Sequence, residues 1–138
     1  MQTANRPAED HKIRTLVEEW AAAVRREDIN AILANHSPDL VMFDVPPPFE
    51  SVGLEAYRKT WDKFFACNSG LGVFDVDDMT IIAGEDVAFV VARMRCAERE
   101  KDGSRSRTDL RFRLTVGLKK IDGSWTIVHE HHSVPADE

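Results

Sequence analysis

The stretch "RFRLTVGLKKIDGSWTIVHEHHSVP", residues 111 to 135, decides the fold class of this chain. Two runs rich in β-branched and aromatic residues flank Asp122, Gly123 and Ser124, a combination of acidic residue and glycine that suits a hairpin reversal. Read with a period of two, Trp125, Ile127, His129, His131 and Ser133 share one face of the second run. Thr126, Val128, Glu130 and His132 share the other. On this reading His129 and His131 point the same way, Glu130 cannot pair with them, and His132 meets solvent or a second subunit.

Working backwards, "LGVFDVDDMTIIAG" (71–84), "DVAFVVARMRCAERE" (86–100) and "SRTDLRFRLTVGLKKI" (106–121) are further β-like runs, separated by turn-forming "GED" and "KDGS". The first half has a different period. Ile13, Leu16, Val17, Trp20, Ala21 and Val24 recur at three and four residues, predicting an amphipathic helix from about Ala8 to Arg26. A short helical segment with Ile29, Ile32 and Leu33 follows, and "NHSPD" (35–39) reads as a break. "LVMFDV" (40–45) predicts a first strand, ended by the prolines at 46 to 48, which lack the amide hydrogen a ladder requires. Leu54, Tyr57, Trp61, Phe64 and Phe65 then mark a third helix, from Gly53 to about Asn68. Helices first and an antiparallel meander second argue for an α+β fold, with the helices on one face of a curved sheet enclosing a pocket.

At 138 residues the chain fits one domain, 1–138, with its core at about 10–135. A net charge of −6, with basic residues scattered among acids, argues against nucleic acid as a partner. No apolar run approaches the roughly 20 residues that span a bilayer, and "MQTANRPAEDHK" lacks the apolar centre of a secretion signal, so a cytoplasmic protein without a membrane partner is expected. Cys67 and Cys96 belong to no metal-ligand spacing and are expected to be buried free thiols.

With this order of elements, the chain resembles the nuclear-transport-factor-2-like (NTF2-like) superfamily, and within it the SnoaL-like and ketosteroid-isomerase-like proteins. Three stretches carry the resemblance: "LVEEWAAAVRREDINAILANHSPDLVMFD" (16–44), "DVPPPFESVGLEAYRKTW" (44–61) and the final hairpin. The last is similar to a SnoaL-like pattern that reads here as Arg113, Thr115, Asp122, Gly123, Trp125, His129, His131, Ser133 and Pro135. The resemblance implies a cone-shaped fold with an apolar pocket, a homodimer, and, for an enzyme, cofactor-independent isomerase or lyase chemistry on an apolar carbonyl-bearing compound. The alternative is a non-catalytic dimeric association or ligand-sensing module.

The resemblance also places Asp44 at the position of the isomerase's carboxylate base and Trp20 at that of its tyrosine, while the second acid's position falls near Gly117. An indole donates a hydrogen bond but has no acidic hydroxyl, so standard ketosteroid isomerisation is not expected. Asp44 and His131 are the candidate catalytic residues: a carboxylate and an imidazole can each move a proton near neutral pH. Asp44 could equally cap the proline turn, and the histidines could be structural. Trp20, Tyr57, Trp61, Arg113 and His129 are the candidate ligand-binding residues, Arg113 for its bidentate fork if it faces the cavity. Its rival role is a surface cross-strand pair. Asp44, His129 and His131 are too weak a ligand set for a metal centre, so no metal or cofactor is assigned.

Overall fold

The chain is described by a computed structural model over residues 6–67, 71–98 and 110–136. In chain order the elements are α1 (Arg6–Arg26), α2 (Ile29–Leu33), β1 (His36–Phe43), β2 (Ser51–Val52), α3 (Leu54–Cys67), β3 (Leu71–Ala83), β4 (Val87–Glu98), β5 (Leu110–Ile121) and β6 (Ser124–Ser133). The predicted helices are present. The first strand starts earlier than predicted, because His36 and Ser37, read as part of a break, are buried strand residues, while Pro38 and Asp39 are exposed. The two-residue β2 was not predicted. Residues 99–109, part of the predicted strand runs, lie outside the described residues.

The six strands form one sheet in the order β2-β1-β6-β5-β4-β3. All neighbours are antiparallel except β1 and β6, so the last strand slots between the first strand and the meander. Asp122 and Gly123 both have positive φ, 51° and 81°, the left-handed pair that a tight hairpin with native twist requires. Helix α1 buries its predicted stripe, Ile13, Val17, Trp20, Ala21 and Val24, and packs on β3; α3 packs on β1 through Tyr57 and Trp61. Each such fully buried aliphatic or aromatic side chain contributes about 1.5–3 kcal/mol relative to an exposed one.

At its first turn α1 is fixed to the β5–β6 hairpin. Trp125 Nε1 donates to Glu9 Oε1 at 2.9 Å, and the same carboxylate pairs with Lys120 and, at 3.1 Å, with Lys12. The Lys120 hydrogen bond is the main reason the Glu9 carboxyl falls to about 2. Cys67 is exposed and Cys96 half-buried, which corrects the expectation of two buried thiols.

Strand β5 alternates without a break: Phe112, Leu114, Val116 and Leu118 are buried, while Arg111, Arg113 and Thr115 are exposed. Strand β6 does not. Leu118 faces Ile127 but Gly117 faces His129, so Val128 is an extra residue, a β-bulge. Before the bulge Trp125 and Ile127 point to the core; after it Glu130 and His132 do. The period-two reading of residues 124 to 133 therefore holds only as far as Ile127, since one inserted residue exchanges the faces of everything beyond it. Deleting Val128 is expected to make Leu118–Ile127 and Gly117–His129 consecutive pairs of a regular ladder, with Ile127, Glu130 and His132 still inward and His129 and His131 still outward. A cooperative thermal transition retained in the deletion variant checks this; its loss would contradict the bulge.

Candidate functional site

Because of the bulge, Glu130 enters the core with its carboxylate, and three polar side chains from other positions meet it. His36 Nε2 lies 2.5 Å from Oε2, Tyr57 Oη donates to the same oxygen at 2.8 Å, and His132 Nε2 lies 2.9 Å from Oε1. Tyr57 accepts in turn from Trp20 Nε1 at 3.0 Å. Glu130, Tyr57, His36 and His132 are 1%, 0%, 8% and 7% exposed, and the His36 imidazole itself is fully buried, so the cluster is sealed from bulk water except at the His132 ring. It joins β1, β6, α3 and α1 at one point.

Aromatic rings surround it. His36 stacks on Tyr57 with centroids 4.8 Å apart, and His132 stacks on Phe112 at 5.8 Å with its edge toward Trp20. Trp20, Trp61 and Phe74 pack edge to face beside them. Trp61 Nε1 is buried with no hydrogen-bond partner among the described residues, although it favours the ionised form of the neighbouring Tyr57. The gap lined by Val17, Trp20, Val116, Ile127 and Glu130 has no room for a water molecule.

The electrostatics follow from burial and these contacts. Burial alone would raise the Glu130 carboxyl, but hydrogen bonds from His132 and His36, and their charges, bring it down to about 2. Burial alone would lower His132; its hydrogen bond to Glu130, the Glu130 charge and the nearby charge of Asp44 outweigh that and raise it above 6.5. Tyr57 is pushed well above 10, first by burial and then by the Glu130 charge. The Glu130 contribution to stability is thus complete above pH 4.5 and lost as the pH falls toward 2. That of His132 is complete below 6.5 and lost as the pH rises through its raised value. The melting temperature is expected to be highest between about pH 4.5 and 6.5 and to fall on both sides. A scan from pH 3 to 9 checks this, and a maximum above pH 7.5 would contradict it.

Of the residues singled out from sequence, Trp20, Tyr57 and Trp61 come together in this cluster. Asp44 follows β1 with the parity of the buried Leu40 and Met42, and its charge reaches His132. Its Oδ1 also accepts from Val45 N at 2.7 Å, the turn-capping bond that was the alternative reading. His129, His131 and Arg113 lie on the outer face of the sheet. His129 Nδ1 donates to the Val41 carbonyl at 2.6 Å, Phe43 packs its ring between His129 and His131, and Arg113 Nε donates to Ser133 Oγ at 3.1 Å.

Glu130 meets His36 and His132 and neither His129 nor His131, whereas the expectation that His132 meets solvent or a second subunit is corrected: beyond the bulge it is buried against Glu130. His36, Glu130 and His132 were missed as a constellation. The available signals were two adjacent β-branched residues, Ile127 and Val128, which fit either frame, and Gly117 in the facing strand, a residue type that often marks a bulge.

A family model described as a SnoaL-like domain matches residues 13–137. This chain is a SnoaL-like protein. The SnoaL-like chain is 32% identical to an NTF2-like protein of unknown function from Pseudomonas putida KT2440, with a TM-score of 0.84 over 95% of this chain and 89% of that one. It shares the fold, at 18% identity, with a candidate ketosteroid isomerase from Parabacteroides distasonis ATCC 8503 (TM-score 0.70; 91% and 86% covered). The association domain of CaMKII from C. elegans has the same fold, also at 18% identity (TM-score 0.73; 93% and 97% covered). No functionally curated protein matches the SnoaL-like chain. NTF2-like architecture is thus established, and no helix among its described residues is long and apolar enough to cross a membrane.

Proposed function

We propose that this SnoaL-like protein moves a proton on a small, apolar, carbonyl-bearing molecule without a cofactor, as an isomerase or lyase. The observation that carries the reading is the state of His132. Its Nε2 is committed to Glu130, whereas its Nδ1 makes no hydrogen bond among the described residues, and its side chain keeps 8% exposure. A carboxylate that orients one ring nitrogen fixes the tautomer and leaves the other nitrogen to accept or deliver a proton. His132 is then the proton carrier, Glu130 its orienting partner, and Asp44 the carboxylate nearest the rim. Trp20 and Trp61 wall the site, and Tyr57 holds Glu130.

The reaction suited to such a pair is removal of a proton from the carbon beside a carbonyl and its return at another carbon. The fold shared with a candidate ketosteroid isomerase supports the class, although the phenol of that chemistry is replaced here by Trp20. The test is deuterium uptake from heavy water into a panel of small enolisable ketones and aldehydes. Catalysed uptake by the native protein, abolished in His132→Gln, is the expected outcome. Uptake unchanged in that variant would remove His132 from the mechanism.

A second reading, association between copies, has its own observation. The outer face of the sheet exposes Ile82, Val87, Phe89 and Val91, at 52%, 61%, 44% and 39%. A contiguous apolar face of this kind suits an isologous contact, and on this reading His129, His131 and Arg113 line the joint. Sedimentation should give a dimer that Phe89→Glu converts to monomer; a monomeric native protein would dispose of the reading.

A further inference from the structure

The Glu130 carboxylate has two histidine neighbours, and their hydrogen-bond geometry differs. His36 Nδ1 lies 2.9 Å from the Ala34 carbonyl oxygen, which can only accept, so Nδ1 carries a hydrogen. Nε2 of the same ring faces Glu130 Oε2 at 2.5 Å, a contact that needs a second proton on one side or the other. Whether that proton resides on the imidazole or on the carboxyl, the His36–Glu130 pair as a unit has no net charge. His132 has no such second tie among the described residues, where only its Nε2 is engaged. The two histidines therefore have different tasks.

We propose that His36 is a positioning residue whose shared proton compensates the Glu130 charge, so that His132 meets a carboxylate that orients it without gripping its proton. The inference rests on the proposed role of His132 and adds how its proton affinity is set. Glu130 and His132 lie on β6, Tyr57 on α3 donates to the oxygen that His36 shares, and Trp20 on α1 donates to Tyr57. Asp44, just past β1, is the further charge that acts on His132. Tyr57 is neutral throughout the working range, so His36 is the partner able to offset the carboxylate from within the cluster. Without that offset an imidazolium beside a full buried carboxylate would hold its proton too tightly to release it near neutral pH.

The test is the pH titration of the His132 ring by nitrogen-15 NMR in the native protein and in His36→Gln, whose side-chain amide can still donate to Oε2 but brings no shareable proton. The midpoint of His132 is expected to rise by about one pH unit or more, the size of effect an uncompensated carboxylate has at this range. An unchanged or lower midpoint in a folded variant would overturn the proposal. Should His36→Gln not fold, the native protein answers directly. The hydrogen between His36 Nε2 and Glu130 Oε2 should give a far-downfield, exchange-protected proton resonance assignable to His36, and its absence at pH 7 in the cold would equally overturn it. Neither readout needs a substrate, so a failure here is separable from a failure of the proton-transfer reading, which the deuterium-uptake comparison decides.

Discussion

Glu130→Ala is expected to destabilise the protein by about 3–5 kcal/mol, the cost of removing one partner from a buried charged cluster. The substitution strands three groups at once. His36 Nε2, Tyr57 Oη and His132 Nε2 all lose their acceptor inside the core. The volume vacated by the side chain adds a cavity cost. Glu130→Gln keeps the shape and one oxygen acceptor, so its loss should be smaller, on the order of 1–3 kcal/mol for a buried group left imperfectly paired. The neighbour one position along is the control: His131→Ala, on the exposed outer face, should change stability by no more than about 0.5 kcal/mol. Urea unfolding of the three variants checks the ranking. Equal effects at Glu130 and His131 would mean that the strand face has been assigned wrongly.

The second large effect is on turnover. For any substrate found by deuterium uptake, His132→Gln is expected to lower kcat about 10²–10⁴-fold, the usual worth of a positioned proton carrier. The variant's fold should survive, since the amide can still donate to Glu130. Asp44→Asn separates two roles for the rim carboxylate. If Asp44 acts only through its charge on His132, the substitution should shift the pH dependence of turnover to lower pH, because the charge that helps raise His132 is gone. If Asp44 itself takes the substrate proton, turnover should collapse at all pH values. Its bond to Val45 N predicts that stability changes little in either case, as the asparagine oxygen can accept the same hydrogen.

The architecture was readable from periodicity because most elements keep one face buried along their whole length. Helix α1 shows its stripe at Ile13, Val17, Trp20 and Val24, and β5 alternates cleanly from Phe112 to Leu118. The site was less readable, for a physical reason located in one residue. Alternation predicts a face only while the pairing register is unbroken, and Val128 breaks it at the point where the buried polar side chains begin. The aromatic members Trp20, Tyr57 and Trp61 were found because they lie on regular helices, where no such shift occurs. His36 was missed because asparagine, serine and proline beside it resemble a loop. In the fold this segment runs as an irregular strand whose pairing with β6 jumps from His36–Ile127 to Val41–His129. Both strands are thus irregular where they face each other, and that shared irregularity brings His36, Glu130 and His132 to one place.

The proposed proton transfer requires that Glu130 hold His132 by Nε2 and leave Nδ1 to exchange a proton. It is tested most directly by the nitrogen-15 spectrum of the His132 ring through a pH titration of the unmodified protein. Nε2 is expected to stay protonated throughout, while Nδ1 loses its proton with a midpoint above 6.5. A ring that deprotonates at Nε2, or that is neutral well below pH 6.5, would contradict it.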